Sequence, residues 1–331
     1  MGCADAVAAH LSPTVKRTKG AVVDPLTGLF RFHRTTDLYR HRTRSIYTVL
    51  SGDELPNGCE TSPSAMDYAL AHHYLEGAEL AARSGDRDTL SWYRTHSRTF
   101  PPHWFTTTPI GPTIVQCPDP RTLRQSPIAD TPYHLLGPNT EPAPPLATEL
   151  VAAAFDIGAE YGFGDLIADH APIVCLLIER KLGEPLNSWA ITRLPGTVFL
   201  DHVGDPTILA RDLIHEAAHN WLNTALAAAD VELDDGKTWN SPWKNTRRPT
   251  FGFLHSCWAF PLTMLFAARA VRRVPQVLAT YLAQHRRKLA STAADHQHAL
   301  AAVTDTDLRE RLRTVHALAL RACPDQPPLV T

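Results

Sequence analysis

Apolar residues recur with helical spacing through most of the second half of the chain, whereas strand-like segments are few and short. The helical patterns of that half predict helices at 146–161, 165–182, 206–229, 253–271, 275–294 and 305–323. Two short strands are predicted at 188–194 and 197–200. In the first half, residues 63–84 have a helical pattern, with Ser62 as its predicted cap, and residues 29–50 an extended or mixed one. The predicted fold class is therefore mainly α with a small β-sheet, an α+β fold.

Prolines divide the chain into two predicted parts. Of the 27 prolines, twelve fall between Pro101 and Pro145, which excludes a continuous helix there. We interpret this stretch either as a linker or as an irregular strap packed over the surface. The predicted domains are a basic N-terminal region of unknown role at 1–125, with the proline-rich strap at about 101–145, and a metal-binding catalytic domain at 146–331.

The composition is that of a soluble globular protein, with 44% hydrophobic and 20% charged residues and no run of about 18 apolar residues. A formal net charge of −2 argues against nucleic acid or an anionic membrane as a partner of the whole chain. The first residues lack the apolar segment of a signal peptide, so we expect a cytoplasmic protein. The six cysteines are too widely spaced for a CxxC metal clamp or a dense disulfide framework.

A local excess of positive charge lies near the start of the chain. Residues 16–44 contain eight Lys or Arg residues and two Asp residues, a net charge of +6. Charge runs of this kind are usually a solvated surface, and the alternative is a docking patch for an acidic partner.

The residues with the clearest chemistry lie in the helix predicted for 206–229, which Asp205 can cap. His215, Glu216 and His219 form an HExxH motif. The spacing of four residues places both imidazoles one turn apart on the same helix face, about 5–6 Å between Cβ atoms, where both can bind one metal ion. Glu216 points about 100° away from His215 around the helix, which favours a supporting or general-base role over metal binding.

Two histidines leave a metal site incomplete, and His255 is the preferred third ligand. It opens the next apolar helix, 36 residues after His219, and Pro261 distorts that helix nearby. A histidine satisfied within the core is the alternative for this position. The reserve candidates are Glu232, His285, His296 and His298.

The loop between the two metal helices combines aromatic, cationic and turn residues. It contains Trp239, Trp243, Arg247 and Arg248, and Pro249 follows directly. An arginine beside a metal can form a bidentate pair with a carboxylate ligand. Solvated loop arginines remain the alternative, more strongly for Arg247 than for Arg248.

Several separated motifs occur here in one order. They are His215-Glu216-x-x-His219 with Leu222-Asn223, Ser241-Pro242-Trp243-Lys244, Arg248-Pro249, Gly252-Phe253-Leu254-His255 and Trp258-Ala259-Phe260. In this respect the chain resembles the HExxH-motif domain found with ribosomal peptide natural-product clusters. The resemblance covers about residues 145–270.

The resemblance implies an iron(II)- and 2-oxoglutarate-dependent oxygenase that hydroxylates the β-carbon of a residue in a precursor peptide. His215, His219 and His255 would hold the iron, and Arg248 would pair with a carboxylate of 2-oxoglutarate. Trp243 and Trp258 would wall the substrate pocket. The expected partner is a peptide substrate, with a leader segment as one mode of contact.

The residues alone leave two other functions open. Three imidazoles bind zinc as well as iron, so the first alternative is a zinc metallopeptidase with Glu216 as general base. The second is a non-catalytic module that binds metal or peptide. The arginine loop favours the oxygenase, because 2-oxoglutarate has a second carboxylate that needs a cation.

Overall fold

Helices form most of the chain in the computed structural model, which describes residues 24–52, 63–96, 100–125 and 131–322. The α-helices of these residues are α1 (Thr35–Ser51), α2 (Ala65–Ser84), α3 (Arg87–His96), α4 (Pro145–Glu160), α5 (Gly164–His170), α6 (Pro206–Ala228), α7 (Thr250–Ala270), α8 (Pro275–Ser291), α9 (Ala293–Ala299) and α10 (Thr306–Ala322).

Strands form one mixed sheet and two small hairpin-like pairs. They are β1 (Phe105–Thr108), β2 (Gly111–Gln116), β3 (Arg124–Gln125), β4 (Pro132–Tyr133), β5 (Ile173–Glu179), β6 (Ser188–Trp189), β7 (Thr197–His202), β8 (Thr238–Ser241) and β9 (Thr246–Pro249). The five-stranded sheet has the order β1-β2-β5-β7-β6, with β2, β5 and β7 parallel and both edge strands antiparallel. The predicted α+β fold class is confirmed.

Two predicted elements are corrected. Residues 29–50 are predicted as extended or mixed, but residues 35–51 form α1. The buried residues of this helix follow helical spacing although several are aromatic or β-branched. The helix predicted for 165–182 ends at His170, and the continuous apolar run that follows is the buried strand β5. Periodicity cannot separate such a run from a buried helix. The predicted cap Ser62 lies outside the described residues, and Ser64 caps α2 in a capping box with Asp67.

Helices α6 and α7 lie at the centre of the main core. The indole of Trp221 on α6 stacks on that of Trp258 on α7, with ring centroids 4.4 Å apart. Helices α4 and α5 pack against α6, and α8 and α10 against α7. Helix α7 is long and apolar enough to cross a membrane, but 83% of its apolar window is buried inside the protein, as in the core helix of a globular domain.

The sheet supports α6 on one face. Val174, Leu176, Val198 and Leu200 point into the core that contains α6, and their neighbours Cys175 and Phe199 point to a smaller cluster on the opposite face. Strands β5 and β7 therefore fix the position of the helix that carries the HExxH motif.

The proline-rich segment contributes to this sheet. Strand β2 pairs in parallel with β5, so Ile114 lies opposite Ile173 across the predicted domain boundary near residue 146. At least 105–116 are thus neither a linker nor an irregular strap. Residues on both sides of the predicted boundary build the same sheet.

The arginines of the basic stretch are partly neutralised by acidic side chains. Arg31 pairs with Asp165, Arg34 with Asp305 and Arg40 with Asp37, while residues 16–23 lie outside the described part of the chain. The exposed pairs of Arg31 and Arg40 agree with a solvated surface. All three pairs remove part of the charge that a docking patch for an acidic partner would use.

His73 gives the fold a pH-dependent contact between α2 and the sheet. Its ring is fully buried, with Nε2 2.9 Å from Thr197 Oγ1, and Nδ1 accepts the backbone N–H of Leu136 at 3.2 Å. Burial, with smaller contributions from the neighbouring His134 and His72, lowers the pKa of His73 to about 3. The ring is therefore held neutral inside the protein.

We expect the stability of the protein to fall as the pH drops from about 6.5 towards 3, because the unfolded chain binds a proton that folded His73 excludes. Above pH 6.5 His73 is unprotonated in the folded and the unfolded protein, so it no longer makes the stability depend on pH. His73→Asn keeps an acceptor but no longer titrates, so the slope of unfolding free energy against pH should become shallower by up to about 1.4 kcal/mol per pH unit. Urea unfolding at several pH values measures both slopes, and equal slopes would exclude this role of His73.

Candidate metal centre

The HExxH motif lies in the middle of α6, and the N-terminus of this helix is capped by Asp205. The Asp205 carboxylate accepts the backbone N–H groups of Thr207 and Ile208 at 2.8 and 3.1 Å, and Pro206 occupies the first helical position. The helix is anchored on the sheet through Asn220, whose side-chain amide donates to the carbonyls of His170 and Thr197. The orientation of both motif histidines is thereby fixed.

Three imidazoles meet between α6 and α7. His219 lies in the middle: its Nε2 is 3.2 Å from Nε2 of His215, and its Nδ1 is 3.0 Å from Nδ1 of His255. The His255 ring also contacts Phe251 one turn earlier on α7, with centroids 4.3 Å apart. The structure therefore brings together the three histidines that the sequence indicates as ligands.

All three rings are electrically neutral at physiological pH. Burial, with smaller contributions from Arg248 and Lys244, lowers the pKa of His219 to about 4. The pKa values of His215 and His255 lie well below the ordinary value, first through burial and then through the neighbouring His219. Neutral imidazoles are the form that binds metal ions.

The donor set fits a transition metal, although the rings do not point to one common position. No group of three or more His, Cys, Asp or Glu side chains in the described residues is arranged to hold a metal ion as it lies. In the imidazole cluster, His219 meets its two neighbours through different nitrogens. The 3.2 Å between Nε2 of His215 and Nε2 of His219 matches the spacing of two nitrogens bound to one ion, about 3.0–3.4 Å for bonds of about 2.1 Å. Binding of the same ion by Nε2 of His255 would require its ring to turn.

The second ring nitrogen of His255, Nε2, is the observation that most favours a bound metal ion. This nitrogen is buried and has no hydrogen-bond partner among the described residues. A buried polar atom without a partner costs about 1–3 kcal/mol, so native proteins rarely retain one without a function. A metal ion bound by the three histidines would use such a nitrogen.

Glu216 turns away from the imidazoles towards the sheet. Its side chain is 2% exposed, and its Oε1 accepts the hydroxyl of Ser188 at 2.6 Å, while Oε2 is buried without a partner. Burial raises the pKa of Glu216 to about 8, and the Ser188 hydrogen bond partly opposes this. Ser188 is a site residue that the sequence does not indicate, because 28 residues separate it from Glu216.

Two cations border the imidazoles on the side of the β8–β9 hairpin. Arg248 on β9 is half-buried and reaches Ser256 Oγ at 3.4 Å, next to His255. A Cβ atom on Gly252 would approach its guanidinium to 2.9 Å, so Gly252 leaves the space in which it lies. Lys244 lies between β8 and β9, and its positive charge, like that of Arg248, lowers the pKa of His219. Neither cation forms an ion pair with any acidic side chain that the structure describes.

Arg247 faces the other way. Its guanidinium donates to the hydroxyl and carbonyl oxygens of Thr238 on the exposed side of the hairpin. Adjacent strand residues point to opposite faces, so the hairpin directs Arg248 towards the imidazoles and Arg247 towards solvent.

The two tryptophans that the resemblance assigns to the pocket have different positions. Trp243 stacks on Phe260 with ring centroids 4.8 Å apart, and Phe260 in turn contacts His215. The indole N–H of Trp243 donates to Nδ1 of His285 at 3.0 Å. Trp258 is fully buried against Trp221, and neither Trp243 nor Trp258 lines the cleft beside His215. Their role as pocket walls stays a prediction.

The reserve ligands do not join the imidazole cluster. Glu232 and His298 are exposed, and His296 stacks on His316 at a centroid distance of 4.2 Å. His285 contacts Phe260 and Trp243 rather than the three imidazoles.

A cleft of about 740 Å³ begins at His215. Ile208, Arg211, Asp212 and His215 line it from α6, and helical spacing places all four on one face. Arg211 and Asp212 are not among the site residues predicted from the sequence. They precede His215 by four and three residues, and this helical spacing is the signal that places them on the same face as His215. His215 lines the cleft, whereas His219, His255 and Arg248 do not.

Comparison of the chain with protein families found no family that matches it, and comparison with curated proteins found no similar protein. The resemblance to the HExxH-motif domain therefore stays a prediction that rests on the motifs quoted above.

Proposed function

We propose that the protein is an iron(II)- and 2-oxoglutarate-dependent oxygenase that hydroxylates the β-carbon of a residue in a peptide, or in a peptide-like substrate. The observation that carries the proposal is the half-buried Arg248 guanidinium, which has no acidic partner in the described chain and lies beside the neutral imidazoles of His219 and His255. The proposal includes the cytoplasmic location expected from the sequence.

An unpaired cation beside uncharged metal ligands favours an anionic ligand. Partly burying an arginine without a counter-ion costs free energy, and a carboxylate from a bound molecule recovers it through a charge-assisted, bidentate pair. 2-Oxoglutarate carries one carboxylate that can bind a metal together with its keto group and a second one at the other end. In this proposal Arg248 and Lys244 take that second carboxylate.

Each residue then has a defined task. His215, His219 and His255 would hold iron(II), which supplies oxygen activation when bound. Arg248 orients 2-oxoglutarate, with Lys244 contributing positive charge. Trp243 and Phe260 cover the cluster with aromatic surface and exclude water from it. Glu216 holds Ser188 and thereby fixes β6 against α6.

The direct test is oxygen-dependent conversion of 2-oxoglutarate to succinate by iron-loaded protein. Zinc-loaded protein serves as the matched control, because zinc occupies imidazole sites without redox chemistry. Succinate formed only with iron and oxygen supports the proposal. No succinate from protein that has been shown to bind both iron and 2-oxoglutarate would reject it.

A zinc metallopeptidase is the second candidate, and the edge strand β6 favours it. Strand β6 is antiparallel to β7 and short, lies next to the HExxH helix and carries the hydroxyl that binds Glu216. Peptides can add to such an edge as a further strand. Hydrolysis of peptides by zinc-loaded protein would select this candidate. A protein that binds peptide but is indifferent to metal and 2-oxoglutarate would be the non-catalytic module.

Glu216→Gln separates the two enzymes. A zinc peptidase needs the carboxylate as general base and should lose activity by about 100-fold or more. In the proposed oxygenase Glu216 does not have to move a proton, and glutamine keeps an acceptor for Ser188, so we expect hydroxylation to fall by less than about tenfold. Complete inactivity with unchanged iron and 2-oxoglutarate affinities would argue against this supporting role.

A further inference from the structure

The cleft beside His215 has a different chemical character from the Arg248 side of the imidazoles. Apolar side chains from four different segments line it, among them Leu186, Val203, Ile208 and Phe260. Helix α8 adds the uncharged polar side chains of Gln276, Thr280 and Gln284 along one face. Amide and hydroxyl groups at this spacing can accept and donate hydrogen bonds to a peptide backbone without demanding a charge.

The charged side chains that line the cleft are already engaged. Arg211 and Asp212 form a bidentate pair at 2.8 and 2.9 Å, and their side chains are only 13% and 15% exposed. Glu184, at the rim, accepts the backbone N–H of Lys181. An acidic side chain entering the cleft would lose water without gaining a free cation, because Arg211 is already paired. A basic side chain would find only the exposed carboxylate of Glu184 at the rim, where an ion pair contributes little free energy.

The rim of the cleft is held in place by a buried carboxylate. Asp201 is 3% exposed and accepts hydrogen bonds from both ends of the β5–β6 connection, residues 180–187. The donors are the backbone N–H of Ile178, the guanidinium of Arg180, and the backbone and side-chain N–H groups of Asn187. This network fixes a surface segment that would otherwise be mobile.

The fixed segment presents an apolar residue to solvent at the entrance. Leu182 lines the cleft and is 64% exposed, although the connection that carries it is well anchored. An exposed leucine alone needs no explanation. An exposed leucine at the rim of an apolar cleft, on a segment fixed by a buried carboxylate, has the properties of a contact for an apolar ligand.

We propose that this cleft receives the residue of the peptide that is modified, and that it selects an uncharged, largely apolar side chain, with Leu182 as a specificity-determining contact. The inference rests on the proposed function for the presence of a peptide substrate. The imidazoles would thus be approached from two sides, by the anionic co-substrate at Arg248 and by the neutral target residue beside His215.

Binding of peptide pools tests this inference without iron or 2-oxoglutarate. The probes are N-acetylated, C-amidated heptapeptide pools in which only the central residue is fixed, as Leu, Val, Phe, Asp or Lys. Affinity selection followed by mass spectrometry measures the amount that the full-length protein retains. We expect the Leu, Val and Phe pools to be retained about tenfold more than the Asp and Lys pools, since an apolar residue gains and a charged one loses free energy on burial.

Leu182→Asp is expected to reduce retention of the apolar pools by about fivefold or more. Leu146→Asp is the matched control, because Leu146 is 80% exposed on α4 and does not line the cleft, and it should change retention by less than about twofold. Equal retention of charged and apolar pools, no retention of any pool, or equal losses in both variants would overturn the inference. A second arm adds iron, 2-oxoglutarate and oxygen. Selective retention without oxidation would keep the cleft assignment and reject the oxygenase.

Discussion

Replacing His219 by alanine is expected to abolish stoichiometric iron binding. His219 contacts both other imidazoles, so its removal leaves His215 and His255 without a common neighbour. Loss of an outer-shell partner of a metal ligand already costs about 10- to 100-fold in affinity, and loss of a ligand itself should cost at least about 100-fold. The measurement is the metal content and iron affinity of the purified variant, with circular dichroism to establish that it is folded.

Variants of the neighbouring histidines test the same ligand set. His215→Ala and His255→Ala should lose iron as His219→Ala does, because two ligands leave the ion open to solvent. His285→Gln is the matched control: His285 lies next to the cluster but contacts Phe260 and Trp243 instead, so iron should be retained. Full iron occupancy in His255→Ala would remove that residue from the ligand set. Loss of iron in His285→Gln would bring the reserve candidate His285 back into the ligand set.

The parts of the site that could be predicted from the sequence are those that lie close together in the chain. The pair His215 and His219 follows from helical spacing alone, and the helix that carries it follows from Asp205 and Pro206. His255 and Arg248 belong to the next helix and to the connection before it, so a short chain segment brings them to the same place. Local physics therefore specifies the cluster almost completely.

The parts that could not be predicted depend on pairing between distant segments. Ser188 reaches Glu216 only because β6 pairs with β7 at the sheet edge, and the proline-rich segment enters the same sheet through β2. The face that Trp258 presents is likewise decided by packing: on an apolar helix with partners on all sides, spacing cannot tell a core contact from a pocket wall. Sheet order and the choice of buried face are tertiary properties.

Replacing Arg248 by alanine is expected to weaken 2-oxoglutarate binding by about 1.5–3 kcal/mol, roughly ten- to hundredfold, while iron stays bound. The guanidinium lies beside His219 and His255 and has no acidic partner in the described chain, so its free donors are available to a carboxylate. Arg248→Lys should restore only part of the affinity, because an ammonium group cannot present two parallel donors. Titration of iron-loaded protein with 2-oxoglutarate without oxygen, followed by the metal-to-ligand charge-transfer band, gives the affinity.

Arg247→Ala provides the control for charge and for the integrity of the hairpin. Arg247 is the sequence neighbour of Arg248, carries the same charge and is held by Thr238 on the opposite face. A general electrostatic attraction of 2-oxoglutarate would make both variants equally weak, whereas a specific carboxylate clamp predicts a loss in Arg248→Ala alone. An Arg248→Ala protein that binds 2-oxoglutarate as tightly as the parent would refute the clamp, and Lys244 would then be the cation to replace. Since Lys244 also acts on His219, the double variant with Arg248→Ala measures whether the two cations share one carboxylate.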